Sequence, residues 1–177
     1  MDWSQLLEAH GRIVWRTVYR LVDDEAEAAD CFQETFVAAL EYSRSHTIRN
    51  WPGMLKRLAT AKAIARLRRR RRTAAVKLTD GSVENAVDGA RSPASIVESL
   101  ELAERVRVEL AALPQPQAEA CCLRFLEGWT YDEIAAELKV TVNHVGVLLN
   151  RAKASLRERL TEFAPINTTR TVPEVKS

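Results

Sequence analysis

The sequence predicts an all-α protein: two small helical domains joined by a flexible linker. Three observations lead there. Apolar residues recur at spacings of three and four along most of the chain, and no segment sustains a period of two. Residues 73–93 interrupt this pattern with turn and loop formers, among them Thr79, Asp80, Gly81, Asn85, Gly89 and Pro93, and few large apolar side chains. The length of 177 residues, 46% hydrophobic and 28% charged, suits one large domain or two small ones. The division that follows is a first domain at 1–72, a linker at 73–93, a second domain at 94–162 and a tail at 163–177. The Thr-rich, Pro-containing tail predicts a disordered end.

In the first domain, Leu6, Ile13, Val14, Val18 and Leu21 form one apolar stripe, which stops at the acidic turn Asp23-Asp24. A second helix starts near Glu25 and aims Ala29, Phe32, Phe36 and Leu40 at a shared core, leaving an acidic and polar outer face. A third begins at Trp51-Pro52, since proline suits a first helical turn, and runs through Leu55, Leu58 and Ala65 into a run of arginines.

In the second domain, Ile96 to Leu113 reads as a helix that Pro114 stops, because proline disfavours helical geometry in the residue before it. Gln117 to Leu126 follows, with Gly128 as a left-handed cap. Thr130 and Glu133 make a capping box for a short helix that buries Ile134, Ala135 and Leu138. A last helix buries Val145, Leu149, Ala152 and Leu156 and turns Asn143, His144, Gly146, Val147, Asn150 and Arg151 outward.

Composition narrows the function. No stretch approaches the roughly 20 apolar residues that span a bilayer, and the acidic N-terminus lacks the features of an export signal, so a cytoplasmic protein is expected. Cys31, Cys121 and Cys122 lack metal or redox spacing, and Cys121-Cys122 reads as a pair of buried small residues; no metal and no cofactor are expected. The net charge of +2 is unevenly spread: residues 1–72 carry 14 Lys/Arg against 9 Asp/Glu, whereas residues 94–161 carry 8 against 10. Lys56 to Arg72 holds nine basic residues and no acidic one, ending in Arg68 to Arg72, a concentration of positive potential suited to a polyanion. Neither a nucleophile, a phosphate loop nor an acid/base pair is legible, so an enzyme with a small-molecule substrate is not expected.

Two helices joined by a tight turn at Lys139-Val140-Thr141, the second with a polar outer surface, make a helix-turn-helix. The order of parts then resembles the extracytoplasmic-function (ECF) sigma factors of bacterial RNA polymerase, over about residues 6–72 and 98–160. Asp30-Cys31-Phe32-Gln33-Glu34-Thr35-Phe36 is similar to the D-x-x-Q-E-x-F element of sigma region 2. Leu113-Pro114, the stretch from Leu123 to Ala135 and Arg151-Ala152 are similar to sigma region 4.

The resemblance implies a region 2 bundle of three to four helices, a region 4 helix-turn-helix, and residue roles. Asp30, Gln33, Glu34 and Phe36 would dock on the coiled coil of the polymerase's largest subunit, with the flap as a further contact. Trp51, Lys62, Arg66, Arg68 and Arg69 would meet the minus-10 region of promoter DNA. For Trp51 a core anchor is the first reading and a stacking platform the second. Thr141, Asn143, His144, Val147, Asn150 and Arg151 would lie over the minus-35 element, with polar groups for base edges and Val147 for a thymine methyl. An anti-sigma partner is a family-level expectation.

The sequence departs from the family at DNA-reading positions. Ala61 and Ala65 stand where the family usually has Asn and Asp, and Gly146 and Leu148 stand where its recognition helix often has two cations. Two readings follow: an alternative sigma factor that directs promoter-specific initiation, or a sigma-like adaptor or decoy that docks without normal promoter reading.

Overall fold

A computed structural model describes residues 3–79 and 94–161. Seven helices follow one another: α1 (Trp3–Val22), α2 (Glu25–Ser43), α3 (Trp51–Thr79), α4 (Ala94–Ala112), α5 (Gln115–Phe125), α6 (Tyr131–Leu138) and α7 (Val142–Thr161). No strand occurs among the described residues, and no helix there is long and apolar enough to cross a membrane.

Local chemistry sets the helix ends. Asp23 takes φ 55, the left-handed region that Asp tolerates better than most residues, and so ends α1 sharply. Asp24 then caps α2, its Oδ1 accepting from the Glu27 N–H at 2.8 Å. Asn50 does the same for α3, accepting from the Gly53 N–H at 3.0 Å. Thr130 and Glu133 form the capping box at α6: the Thr130 N–H donates to Glu133 at 2.7 Å and the Glu133 N–H to Thr130 Oγ1 at 3.2 Å. Gly128 has φ 74, as a left-handed cap requires, and here a Cβ would be strained whatever the space around it.

One expectation is corrected. The linker does not begin at residue 73, because α3 runs on to Thr79. Nothing breaks a helix between Gly53 and Gly81: Ala74, Ala75 and the arginines are good helix formers, and Thr73 satisfies its hydroxyl by donating to the Arg69 carbonyl at 3.1 Å. The rest of the proposed linker, residues 80–93, and the tail from 163 lie outside the described residues.

Helices α1, α2 and α3 form one module and α4 to α7 the other, but their apolar residues do not stay apart. One buried cluster joins Val14, Val18, Leu55 and Ile64 of the first module to Leu110, Leu113, Ala118 and Cys122 of the second. A smaller cluster, Leu123, Trp129, Ile134, Val145, Leu148 and Leu149, holds the helix-turn-helix together. Burial pushes the thiols of Cys31, Cys121 and Cys122 above the ordinary cysteine range, the state of unreactive core residues.

Two stability predictions follow. A Cβ at Gly146 would meet only Tyr131 Cε2, at 3.9 Å, so Gly146→Ala gains helix propensity without a clash; chemical denaturation should show stabilisation of up to about 1 kcal/mol. Hydrogen bonds from the backbone and then the side chain of Thr130 hold the Glu133 carboxyl below its ordinary 4.5. Its contribution is present above pH 4.5 and is lost as pH falls through the lower folded-state value. The stability difference between the wild type and Thr130→Ala should therefore shrink on acidification below that pH.

Candidate nucleic-acid interface

The helix-turn-helix supplies a clean outer face. Lys139 turns the chain in the left-handed conformation (φ 55), and Thr141 caps α7 by accepting from the His144 N–H at 3.2 Å. Val145, Leu148, Leu149 and Ala152 are buried beneath, which fixes the roll of the helix. Asn143, His144, Val147, Asn150 and Arg151 are then all exposed on one face. Thr141 thus belongs first to the helix cap. Leu148, at a position where a cation was looked for, is 6% exposed and sits in the core of this module.

The two site groups of the first module meet each other. Asp30, Gln33 and Glu34 are exposed on α2, and Phe36 is half-buried against Phe32, their rings 5.0 Å apart. Arg66 of α3 reaches Asp30 at 3.3 Å and Glu34 at 3.5 Å, and Lys62 reaches Glu34 at 3.4 Å. The carboxylates are half or more exposed, Glu34 at 50% and Asp30 at 61%, whereas the Arg66 side chain is only 17% exposed; ion pairs open to water on the acid side contribute about 1 kcal/mol or less each. Trp51 is half-buried with its ring edge-on to Trp3 at 5.8 Å, which supports the anchor reading.

The arginine run divides. Arg69, Arg71 and Arg72 are exposed. Arg68 instead donates to the carbonyls of Leu113 at 2.6 Å and Ala111 at 3.3 Å, satisfying acceptors at the end of α4 that the helix leaves open. Arg70 donates to the last carbonyl of α1, that of Val22, at 3.1 Å. In this arrangement, therefore, two of the five arginines serve the protein's own helix ends.

Sequence reasoning missed the charges between the modules. Glu127, just beyond α5, has a side chain only 2% exposed. It accepts from Thr17 Oγ1 at 3.0 Å and from Arg20, and pairs with Lys56 at 3.2 Å, all three in the first module. Arg57 faces Glu137 of α6 at 3.6 Å, and Arg107 of α4 pairs with Asp23 at 2.8 Å. The one signal available was the opposite net charge of the two halves. Among the described residues, no group of three or more His, Cys, Asp and Glu side chains is placed to hold a metal ion.

Comparison with known proteins agrees with this architecture. The model of Sigma-70 region 2 matches residues 6–73 and that of Sigma-70, region 4 matches residues 103–156, together well over half of the chain. The chain belongs to the sigma-70 family of RNA polymerase sigma factors, in its ECF class. It is 28% identical to the ECF RNA polymerase sigma factor SigE of Mycolicibacterium smegmatis, over 92% of this chain and 63% of that protein. It is 26% identical to the ECF RNA polymerase sigma factor SigW of Bacillus subtilis, over 91% of this chain and 90% of that protein. The chain thus spans somewhat under two thirds of SigE and nearly all of SigW. Among solved structures, the sigma factor RpoE of Bartonella quintana, in complex with the anti-sigma factor NepR, has a similar fold: TM-score 0.53, 23% identity, 90% of this chain and 97% of that one.

The exposed arginines give a test of phosphate binding. Replacing Arg69, Arg71 and Arg72 together by Gln should weaken binding to any duplex and lower the slope of log K against log salt by up to about 3, read by fluorescence anisotropy. An unchanged slope would remove them from the phosphate contacts.

Proposed function

We propose that this protein is an alternative sigma factor that binds core RNA polymerase and directs promoter-specific initiation of transcription. The observation that carries the reading is the outer face of α7, where Asn143, His144, Val147, Asn150 and Arg151 stand exposed over a buried opposite face. A helix so held can enter a major groove and offer hydrogen-bonding groups to base edges, here those of the minus-35 element. The first module would serve the other two contacts. Asp30, Gln33, Glu34 and Phe36 form the surface for the largest subunit's coiled coil, and Trp51, Lys62, Arg66, Arg68 and Arg69 belong to the minus-10 side. The flap is a further polymerase contact for the second module.

The protein's work is binding, and the polymerase makes the phosphodiester bonds. That a structural relative was captured with an anti-sigma factor supports regulation of this chain by a partner of that kind. A second reading, an adaptor or decoy that docks on polymerase or an anti-sigma protein without normal promoter reading, is favoured by one observation. The first two turns of α7 expose no cation, and Leu148 faces the core.

Run-off transcription with core polymerase and a fragmented genomic library separates the two readings. A sigma factor yields start sites that share an upstream motif; an adaptor co-purifies with core and yields none. Asp30→Arg combined with Glu34→Arg should reduce affinity for core polymerase by at least about ten-fold through charge reversal at the docking face. Helicity by circular dichroism should stay unchanged.

A further inference from the structure

We propose that the outer face of α1 is a docking surface for a second protein, built to receive an acidic amphipathic helix. None of the polymerase or promoter contacts above uses this face, so the inference goes beyond the reading of the chain as a sigma factor. Leu6, Val14, Val18 and Leu21 turn inward and are buried. Two adjacent rows at intervals of four residues cross the other side of the helix: Leu7, Gly11, Trp15 and Tyr19 in one, Glu8, Arg12, Arg16 and Arg20 in the other. Leu7 and Tyr19 are 46% and 43% exposed, large side chains left open to solvent. Trp15 stacks on Tyr19 with ring centroids 6.1 Å apart and meets Phe32 of α2 edge-on at 6.0 Å. Between Leu7 and Trp15, Gly11 leaves a notch: a Cβ there would make only ordinary contact, with Phe32 Cζ at 3.6 Å and Leu7 Cδ1 at 3.9 Å. An apolar side chain of a partner can enter the notch and rest against the Phe32 ring.

Charge decides what covers this face. Arg12, Ile13, Trp15, Arg16, Tyr19 and Arg20 line a shallow hollow that contains no acidic side chain. Arg20 is held by Glu127, whereas Arg12 and Arg16 are exposed and, among the described residues, neither enters an ion pair. Residues four apart rise about 6 Å along a helix axis, so acids at that interval on a partner helix fall in step with Arg12 and Arg16. An apolar row beside those acids packs along Leu7, Trp15 and Tyr19, ridge against groove. A nucleic-acid strand needs open ring faces for its bases, and Trp15 already stacks on Tyr19. A bilayer needs aliphatic side chains that insert, and most of those on α1 point into the core. The face is also distinct from the acidic one on α2: Asp30 and Glu34 lean toward α3 through Arg66 and Lys62, whereas Phe32 lies on the flank of α2 that meets α1. The two faces carry opposite charge and so select different partners.

The test titrates the full chain into a fluorescent synthetic helix of about 18 residues with Leu and Glu in adjacent rows at intervals of four, and into its twin with Lys in place of Glu, read by anisotropy. The Glu peptide should bind at least about ten-fold tighter than the Lys twin, and more weakly as salt rises. Arg12→Glu combined with Arg16→Glu should reverse that preference, which ties binding to this face. Gly11→Leu fills the notch and should weaken the Glu peptide at least about five-fold; if it loses helicity by circular dichroism, Tyr19→Ala, at an exposed site, takes its place with the same expectation. Affinity for core polymerase should stay within about two-fold in the doubly reversed variant, because that contact uses the other face. Equal affinity for the two peptides, or a doubly reversed variant that still prefers Glu, overturns the proposal. So does tighter binding of a thymidine oligonucleotide of about 20 nucleotides, or of vesicles with about 30% phosphatidylglycerol, when it is lost in the same variant. A parallel loss of core polymerase affinity merges this face with the polymerase contact and overturns the separate site.

Discussion

A carboxylate that loses its water has to be paid for in hydrogen bonds and opposite charge, and Glu127 is such a group. Its side chain is closed off between the modules and receives a hydroxyl, a guanidinium and an ammonium from α1 and α3. Removing the partners while it stayed buried would cost about 3–5 kcal/mol. Separation of the modules instead returns the carboxylate and its partners to water, so the net contribution of this charge cluster to the closed form is far smaller than that figure. This asymmetry lets a well-satisfied buried charge specify how two modules meet without welding them together.

An apolar seam lies beside this charge cluster. Leu110, Leu113, Ala118 and Cys122 complete a core whose larger part belongs to the first module. Each module also keeps packing of its own: Val14, Val18, Leu55 and Ile64 in one, and the cluster around Leu123, Ile134 and Leu149 in the other. Arg68 links the layers by giving its guanidinium to carbonyls at the end of α4, contacts that are charge-assisted and geometrically demanding. A basic helix thus has two uses. Its exposed arginines remain available to an outside polyanion, whereas Arg68, Lys56 and Arg57 are held by the neighbouring module.

The site was legible in the sequence to the extent that it depends on local periodicity. The exposed face of α7 follows from the spacing of Val145, Leu149 and Ala152, and the capping box of α6 from Thr130 and Glu133 three residues apart. The exposed acidic and polar face of α2 follows from Asp30, Gln33 and Glu34 falling within about one helical turn. What could not be read was which charges would find one another. Lys62 and Arg66 pair with Asp30 and Glu34 across two helices, and nothing in the spacing of either segment indicates the pairing. The end of α3 was misplaced for a different reason: threonine and short side chains after the arginines read as a loop, yet without Gly or Pro the helix had no cause to stop before Thr79.

The sequence by itself determined the elements and their order, because caps, prolines, glycines and the 3.6-residue period act over a few neighbouring residues. It also determined the family, through motifs that are local strings. Only the tertiary structure decided that the two modules close on each other, that the Glu127 side chain is buried between them, and that Arg68 serves a helix end. Those outcomes depend on residues up to 110 positions apart sharing one seam, and desolvation and charge pairing at such a seam are properties of the assembled surfaces.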